Sequence, residues 1–218
     1  SKGNLFDPYN GVNDLKEGFV KFIGDTDKRI KEDYLRILRY VRFFLNYSKK
    51  PHDLETIKKI KINIGGVAKI SKDRLLNELE KIMKLNTLIK LSKNQECLDL
   101  ISAIFPELKY INIFSKLNEY QKTLLKEVDF IFFLSLMIID GTDNAEYFLY
   151  KFNISKKNFK RIKFIDNFYK DKINSKAFSE TSMNKFFYYN GKQAVIDVLI
   201  FRIIKYKKFD KKLIELIE

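Results

Sequence analysis

The helical spacing of apolar residues limits the folds open to this sequence more than any other feature. From Asn13 onward, apolar positions recur every three to four residues, and no stretch alternates convincingly in the way that a half-buried strand does. Glycines and prolines separate the periodic runs. The pattern predicts twelve helices, at roughly 13–23, 26–48, 53–61, 71–85, 94–105, 109–117, 120–139, 143–152, 155–171, 181–189, 191–206 and 210–217.

The first twelve residues differ from the rest because turn-forming residues are concentrated there. SKGNLFDPY is typical of the return strand of a hairpin, so the chain is expected to start inside a domain. The fold class predicted is therefore all-α, a multi-helix array with at most a remnant β strand at the N-terminus. With 218 residues, 45% of them hydrophobic, the chain can bury one large core or two or three small ones.

The net charge of +14 makes a polyanion the first candidate for a partner, and among polyanions a nucleic acid. A chain rich in Lys, Ile, Asn, Phe and Tyr is also what AT-rich coding sequence produces, so the charge alone leaves both explanations open. Residues 151–176 contain nine Lys or Arg against two Asp. A helix there would carry lysines on one face, which either follow an RNA backbone or form an ordinary solvated surface.

Several residue types exclude other functions. Cys97 is the only cysteine, so an internal disulfide is impossible and a cytoplasmic location is expected. His52 is the only histidine, and without a second one or a nearby thiol a metal or acid–base role is disfavoured. FIFFLSLMII at 130–139 is about half of what a bilayer requires and predicts a buried helix, with no membrane partner. No Walker loop or nucleophile elbow is present, and Gly65–Gly66 is interpreted as a hinge.

The predicted helix 26–48 has a charged face with an unusual choice of cation. Arg29 with Asp33, and Glu32 with Arg36, are spaced as i,i+4 ion pairs, which periodicity alone explains as a solvated surface. Yet these cations are arginines in a chain whose basic residues are mostly lysine. A guanidinium offers a planar fork of donors that matches phosphates and nucleobase edges, so this face is also a candidate binding surface.

Three motifs in order carry a family resemblance. DPYNGVNDL at 7–15, GDTDKRIKEDYLRILRYVRF at 24–43 and ISKDRLLNELEKIM at 70–83 together resemble the bacterial-type (class II) tRNA nucleotidyltransferase and poly(A) polymerase family. The resemblance covers about the first 85 residues. It implies an elongated array with a neck at 13–86, a body at 87–152 and a tail at 153–218, preceded at 1–12 by a remnant of the catalytic head or its linker.

The resemblance also implies roles for particular residues. The helix with the EDxxR pattern is the family's template for the incoming CTP or ATP, and Thr26 and Tyr34 stand where many members carry proline. The residues implied to bind the nucleotide are Asp33, Arg36, Arg39 and Arg42. The residues implied to support them, or to form the joint between head and neck, are Glu32, Gly11, Asp14, Arg74 and Glu78.

The family's catalytic segments are not found in these 218 residues. Its glycine-rich GGxVRD segment, its metal-binding DxD pair and its RRDF segment are absent. Asp25 and Asp27 have DxD spacing but precede a helix, so we interpret them as capping residues. The resemblance thus implies that the catalytic residues and Mg²⁺ belong to a head supplied by the same gene or by a separate chain. This chain would bind no metal and would be inactive alone.

The resemblance assigns tRNA to the body and tail. The residues predicted to bind it are Lys156, Lys157, Lys160, Arg161 and Lys163, while core packing is favoured over base stacking for FFYY at 186–189. The function predicted is the RNA-binding, nucleotide-selecting part of an enzyme that adds CCA, or part of it, to tRNA from CTP and ATP. The alternatives are the corresponding part of a poly(A) polymerase and a stand-alone basic RNA-binding adaptor.

Overall fold

The structure, a computed structural model, describes residues 6–170 and 180–206. Within these ranges every regular element is an α-helix or a 3-10 helix and there is no strand, so the predicted all-α class is confirmed. The predicted remnant strand was wrong for residues 6–9, which are irregular or in a turn, while its first part, residues 1–5, lies outside the described residues. The last predicted helix, 210–217, also lies outside them. The chain divides into two compact units, Ser1–Phe105 and Pro106–Glu218. The division into neck, body and tail stays a prediction.

The first unit is built around one amphipathic helix. Its elements are α1 (Gly11–Glu17), α2 (Thr26–Glu32), α3 (Leu35–Tyr47), α4 (Leu54–Asn63), a 3-10 helix over Ile64–Lys69, α5 (Lys72–Ile82), α6 (Leu85–Leu91) and α7 (Gln95–Ile104). Seven of the thirteen residues of α3 are buried, and α3 packs against α2, α5 and α6. The buried positions recur at helical spacing, so the apolar stripe read from the sequence is the face that forms the core.

The second unit is built around a helix that is apolar on all sides. Its elements are a 3-10 helix over Ile111–Lys116, α8 (Glu119–Leu124), α9 (Phe130–Ile138), α10 (Asn144–Lys151), α11 (Lys156–Lys170) and α12 (Glu180–Tyr206). Eight consecutive residues of α9 are buried, so the predicted buried helix is confirmed. α10, α11 and α12 pack against it. No helix in the described ranges has the length and apolar character needed to span a membrane.

Some predicted helices were wrong in extent. The single helix predicted over 26–48 is broken between α2 and α3, and the one predicted over 120–139 is broken between α8 and α9. In both cases apolar residues continue at helical spacing across the break, because the helices on either side bury residues in the core. α6 was not predicted. The interruption predicted near residue 190 is confirmed, since Gly191 takes a φ of 81° inside α12, a value that favours glycine.

Candidate nucleotide and RNA site

Asp33 lies at the junction between α2 and α3, where the backbone leaves helical geometry. Its φ of −154° and ψ of 103° are extended, while α2 ends at Glu32 and α3 begins at Leu35. One carboxylate oxygen, Oδ1, accepts a hydrogen bond from the Leu35 N–H at 3.2 Å. This bond satisfies one of the amides that the start of a helix leaves free. The junction, rather than a helix face, therefore sets the position of Asp33.

The other oxygen of Asp33 binds the guanidinium of Arg74. Arg74 Nη2 donates to Asp33 Oδ2 at 2.9 Å, which links α5 to the junction. The next residue, Tyr34, packs its ring against Gly66 of the 3-10 helix. A Cβ added to Gly66 would lie only 1.9 Å from Tyr34 Cε1, so the contact requires glycine. The junction is thus held from two sides, by α5 and by the 3-10 helix.

Glu32 pairs with one arginine from each of the two helices. Its Oε2 lies 2.5 Å from Arg29 Nη1 in α2 and 3.1 Å from Arg36 Nη1 in α3. The predicted pair of Glu32 with Arg36 is confirmed. The predicted pair of Arg29 with Asp33 was wrong, because α2 ends before Asp33 and helical spacing no longer applies there.

Three arginines line one groove on the first unit. Arg29, Arg36 and Arg39 face a space of about 310 Å³ whose other lining residues are Val20, Lys21, Phe22, Ile23, Tyr40 and Phe43. Arg39 is exposed and forms no ion pair within the part of the chain that the structure describes. Guanidinium groups beside apolar and aromatic walls suit a planar anionic ligand, because they bind phosphate in pairs of hydrogen bonds and stack on rings. We call this site the arginine groove.

Arg42 points into the fold instead. Its Nε donates to Glu78 Oε1 at 2.5 Å, and Lys81 Nζ lies 3.2 Å from the other oxygen of the same carboxylate. The Glu78 side chain is only 2% exposed, and the Arg42 guanidinium stacks over the ring of Phe43 at 4.4 Å. Arg42 therefore ties α3 to α5 through a buried carboxylate.

The four residues predicted to bind nucleotide thus fall into two groups. Arg36 and Arg39 line the arginine groove, whereas Asp33 and Arg42 bind α5. Their α5 partners are the two residues that were predicted to support them. The structure therefore brings all four into one region, although only two line the groove.

The residues before α2 are held by two carboxylates. Asp7 accepts hydrogen bonds from the Val12 N–H at 2.9 Å and the Gly11 N–H at 2.7 Å, and these amides lower the pKa of Asp7. Asp14 pairs with Lys21 at 2.8 Å, and Lys21 also lines the arginine groove. Gly11 and Asp14 therefore lie in a segment that continues directly into one wall of the groove.

The lysines predicted to bind RNA have different surroundings. Lys156, Lys157 and Lys160 are exposed on α11 and form no ion pair with any described residue. Lys163, by contrast, lies 2.6 Å from a carboxylate oxygen of Glu146. The first three lysines are therefore available to an external anion, whereas Lys163 is already paired.

Arg161 uses its donors inside the fold. Nε and Nη2 donate to the two oxygens of Asp197 at 2.6 and 2.9 Å, and Nη1 binds Asp129. The Asp197 side chain is 2% exposed, and its hydrogen bonds raise the pKa of Arg161. Arg161 therefore joins α11 to α12 and to the start of α9. Its role in RNA binding stays a prediction.

Two features of these surfaces escaped the sequence analysis. Arg29 lines the arginine groove, although it was not among the residues predicted to bind the nucleotide. The choice of arginine in a lysine-rich chain was the available signal. Tyr188 and Tyr189 are 84% and 79% exposed, so the core interpretation of FFYY was wrong for them. The available signal was Gly191, which follows the two tyrosines closely and interrupts the helix.

The acidic residues near α2 do not form a metal site. In the ranges that the structure describes, no group of three or more His, Cys, Asp or Glu could hold a metal ion. Asp25 accepts from the Lys28 N–H at 2.8 Å, which confirms its predicted capping role. The capping role predicted for Asp27 was wrong, because its carboxylate accepts from the side chains of Lys31 and Asn63. These residues do not fit the Mg²⁺ of the resembled family.

The fold and the arginine groove define a strongly basic, all-helical protein with a site suited to a planar anion. Among curated proteins, the human mitochondrial CCA tRNA nucleotidyltransferase 1 is 51% identical over 83 residues, which are 37% of this chain and 19% of the relative. The CCA-adding enzyme of Staphylococcus haemolyticus is 27% identical over 90% of this chain and 46% of its own length. That of Ligilactobacillus salivarius is 35% identical over 58% of this chain and 34% of its own length.

These matches relate the chain by sequence to the CCA-adding nucleotidyltransferases, and the predicted resemblance is confirmed. No family model matches the chain. The chain spans less than half the length of each of these three relatives.

Proposed function

We propose that this chain is the RNA-binding and nucleotide-selecting helical part of a tRNA nucleotidyltransferase that adds CCA, or part of it, to tRNA 3′ ends from CTP and ATP. The observation that carries the proposal is the convergence of Arg29, Arg36 and Arg39 on one groove. Asp33 lies at the junction between α2 and α3, the two helices that carry these arginines. The names of the relatives, two CCA-adding enzymes and one CCA tRNA nucleotidyltransferase, support it.

Selection would rest on Asp33 and Arg36. Cytosine and adenine both present an exocyclic amino donor beside a ring-nitrogen acceptor, so a carboxylate and a guanidinium complement both bases. Uracil and guanine present a carbonyl and an N–H at those positions, which would set acceptor against acceptor. An unpaired buried polar group of this kind costs about 1–3 kcal/mol. Arg74 occupies only part of the accepting capacity of Asp33, so the carboxylate can still accept from a base.

Glu32 would neutralise two arginines of the groove in the free protein. Its carboxylate holds Arg29 and Arg36, and on binding it would release Arg36 to the base and Arg29 to the phosphates. Both pairs are partly solvent-exposed, so they stabilise the fold little and yield to a ligand of higher charge. Arg39, unpaired in the described part of the chain, would meet the ligand first.

Nucleotide transfer itself is proposed to take place on a catalytic head that binds Mg²⁺, on the same polypeptide or on a separate chain. Two metal ions held by carboxylates are the usual means of activating a 3′ hydroxyl. The 218 residues would therefore select the nucleotide and hold RNA, but would transfer nothing alone. The tRNA would be bound in part by the exposed lysines of α11, through its phosphates. Cytoplasmic location stays a prediction, because the human relative is named mitochondrial.

The test is a calorimetric titration of the chain with CTP, ATP, UTP and GTP. We expect CTP and ATP to bind more tightly than UTP and GTP, and Asp33→Asn to reduce that difference because one accepting oxygen becomes a donor. Lys28→Ala, an exposed cation of α2, is the matched control. Equal binding of all four nucleotides by the unmodified chain would contradict the proposal.

The same titration separates the alternatives. The part of a poly(A) polymerase would prefer ATP to CTP, whereas a stand-alone adaptor would bind RNA and none of the four nucleotides. The named relatives favour the CCA-adding function over both.

A further inference from the structure

The second unit contains a concave surface between α11 and the first half of α12. It encloses about 430 Å³, within the range of ligand-binding clefts. Its lining includes Lys157, Lys160, Phe164, Tyr189 and Gln193, with Arg161 and Asp197 also contributing. We call this surface the tyrosine pocket.

An exposed aromatic pair stands at the tyrosine pocket. Tyr188 and Tyr189 pack edge to face, with ring centroids 5.3 Å apart and planes at 87°. Tyr189 lines the pocket and leaves 79% of its surface in water. Exposed aromatic rings beside a concave surface leave apolar area uncovered, which is typical of a binding site. A ring with one open face can stack on any nucleobase.

The two lysines of the pocket differ from their neighbours on the same helix. Lys163 and Lys170 pair with Glu146 and Asp166, whereas Lys157 and Lys160 have no ion pair among the described residues. Next to Lys160, Arg161 is held by the Asp197 carboxylate and contributes a fixed wall rather than a free cation. The pocket therefore combines a rigid wall, two positive charges without an ion pair among the described residues, and an aromatic ring with an open face.

We propose that the tyrosine pocket binds an unpaired nucleotide of RNA, with the base stacked on Tyr189 and the neighbouring phosphates bound by Lys157 and Lys160. This site is separate from the arginine groove, and the inference rests on the proposed contact of the chain with RNA. An acidic peptide would also meet the two lysines, but it has no ring to place on Tyr189. Stacking selects a base, which favours single-stranded RNA over duplex RNA, whose bases are already stacked.

The first test measures stacking by fluorescence anisotropy with a labelled ten-nucleotide single-stranded RNA. Tyr189→Ala is expected to weaken binding by roughly 5- to 150-fold, the range of one base stacked on an aromatic side chain. Tyr189→Phe keeps the ring and should remain within about twofold. Tyr147→Ala, which removes an exposed tyrosine of α10, is the matched control and should bind as the unmodified chain does. Tyr189→Leu provides a second variant if the alanine variant does not fold.

The second test measures the phosphate contacts from the salt dependence of the same binding. Lys157→Gln with Lys160→Gln should reduce the slope of log K against log salt by roughly 1.4, since each phosphate contact to a single strand contributes about 0.7. Lys116→Gln with Lys126→Gln removes the same charge from other exposed positions of this unit. That control should leave the slope unchanged.

The outcomes separate this inference from the proposed function. Weaker binding in the lysine variant with no effect of Tyr189→Ala would overturn the stacked base but leave the RNA contact in place. Equal binding of a ten-base-pair duplex, or equal competition by polyglutamate, would overturn the inference as well. If neither the oligonucleotide nor tRNA binds, both the pocket and the proposed RNA contact are wrong, and the nucleotide titration still decides the arginine groove.

Discussion

Arg74 donates a hydrogen bond to Asp33 at 2.9 Å and so connects α5 to the residue proposed to read the base. The Arg74 side chain is 49% exposed and that of Asp33 is 21% exposed. An ion pair this close to solvent contributes about 0–1 kcal/mol to stability. Its value therefore lies in holding the carboxylate in one orientation, with the remaining lone pairs available to a ligand.

Replacing Arg74 by alanine should change selectivity more than stability. We expect the unfolding free energy to change by no more than about 1 kcal/mol, while the ratio of CTP to UTP affinity falls several-fold because Asp33 is free to rotate. Calorimetric titration and urea unfolding measure the two effects. Lys72→Ala, an exposed cation on the same helix, should change neither. A larger loss of stability with an unchanged affinity ratio would show that Arg74 serves stability alone.

Removing Arg42 should destabilise the protein. Glu78 would keep a buried carboxylate with only Lys81 as a partner among the described residues, and such a loss typically costs about 3–5 kcal/mol. Urea unfolding of Arg42→Ala measures this loss of unfolding free energy. Adding Glu78→Gln to that variant removes the buried charge and should restore part of the stability. A cost below about 1 kcal/mol for Arg42→Ala would mean that water replaces the guanidinium.

The elements that could be predicted from the sequence are those in which burial and periodicity agree. α3 and α9 could be predicted because the positions of their apolar residues are the positions that are buried in the core. The break at Asp33 was hidden, because Ile30 and Leu35 continue the apolar series on either side of it. A proline at position 34 would have marked the start of α3, and this chain carries Tyr34 instead.

The site could be predicted only where the three motifs of the family resemblance indicated which distant residues lie together. Helical periodicity gives no such information. Asp33 and Arg74 are separated by 41 residues, and nothing in local spacing pairs them. The resemblance placed both in one region and left the direction of each side chain open. The second unit lacked such a motif, so the use of Arg161 inside the fold and the exposure of Tyr189 could not be read from charge and composition.

Gly66→Ala tests the packing of the junction. The added methyl would collide with the ring of Tyr34, and overpacking of this kind costs roughly 1–3 kcal/mol. Gly65→Ala is the matched control, since a Cβ there meets nothing within 4 Å. Thermal unfolding of the two variants should separate them clearly. Adding Tyr34→Ala should relieve the collision in the Gly66 variant, and its failure to do so would contradict the proposed contact.

His52 should make stability fall in mild acid. Burial lowers the pKa of His52, whose Nδ1 accepts from the Tyr40 hydroxyl at 3.0 Å while Nε2–H donates to Asn94 Oδ1 at 3.1 Å. Because the folded pKa lies below the unfolded one, the unfolded chain binds more protons as pH falls below about 6.5. His52 therefore lowers stability from that pH downward, with nearby Glu96 opposing the shift.

The measurement is urea unfolding of the chain between pH 5 and about pH 7.5. His52→Gln removes the only histidine, so the part of the acid loss that begins near pH 6.5 should disappear while the carboxylate part at lower pH remains. An identical pH profile for the variant would show that His52 titrates alike in both states.

Substitution of Arg161 tests whether its guanidinium stabilises the fold or binds RNA. Arg161→Ala would leave the buried Asp197 with only Gln193 among the partners described for it, so we expect a loss of about 3 kcal/mol or more. Arg161→Lys keeps the charge but loses the two-pronged contact and should recover only part. Lys160→Ala, on the adjacent position, should stay within about 0.5 kcal/mol. If instead Arg161→Ala unfolded at the same urea concentration as the unmodified chain while RNA binding fell, the guanidinium would serve RNA, as its place among the α11 lysines first suggested.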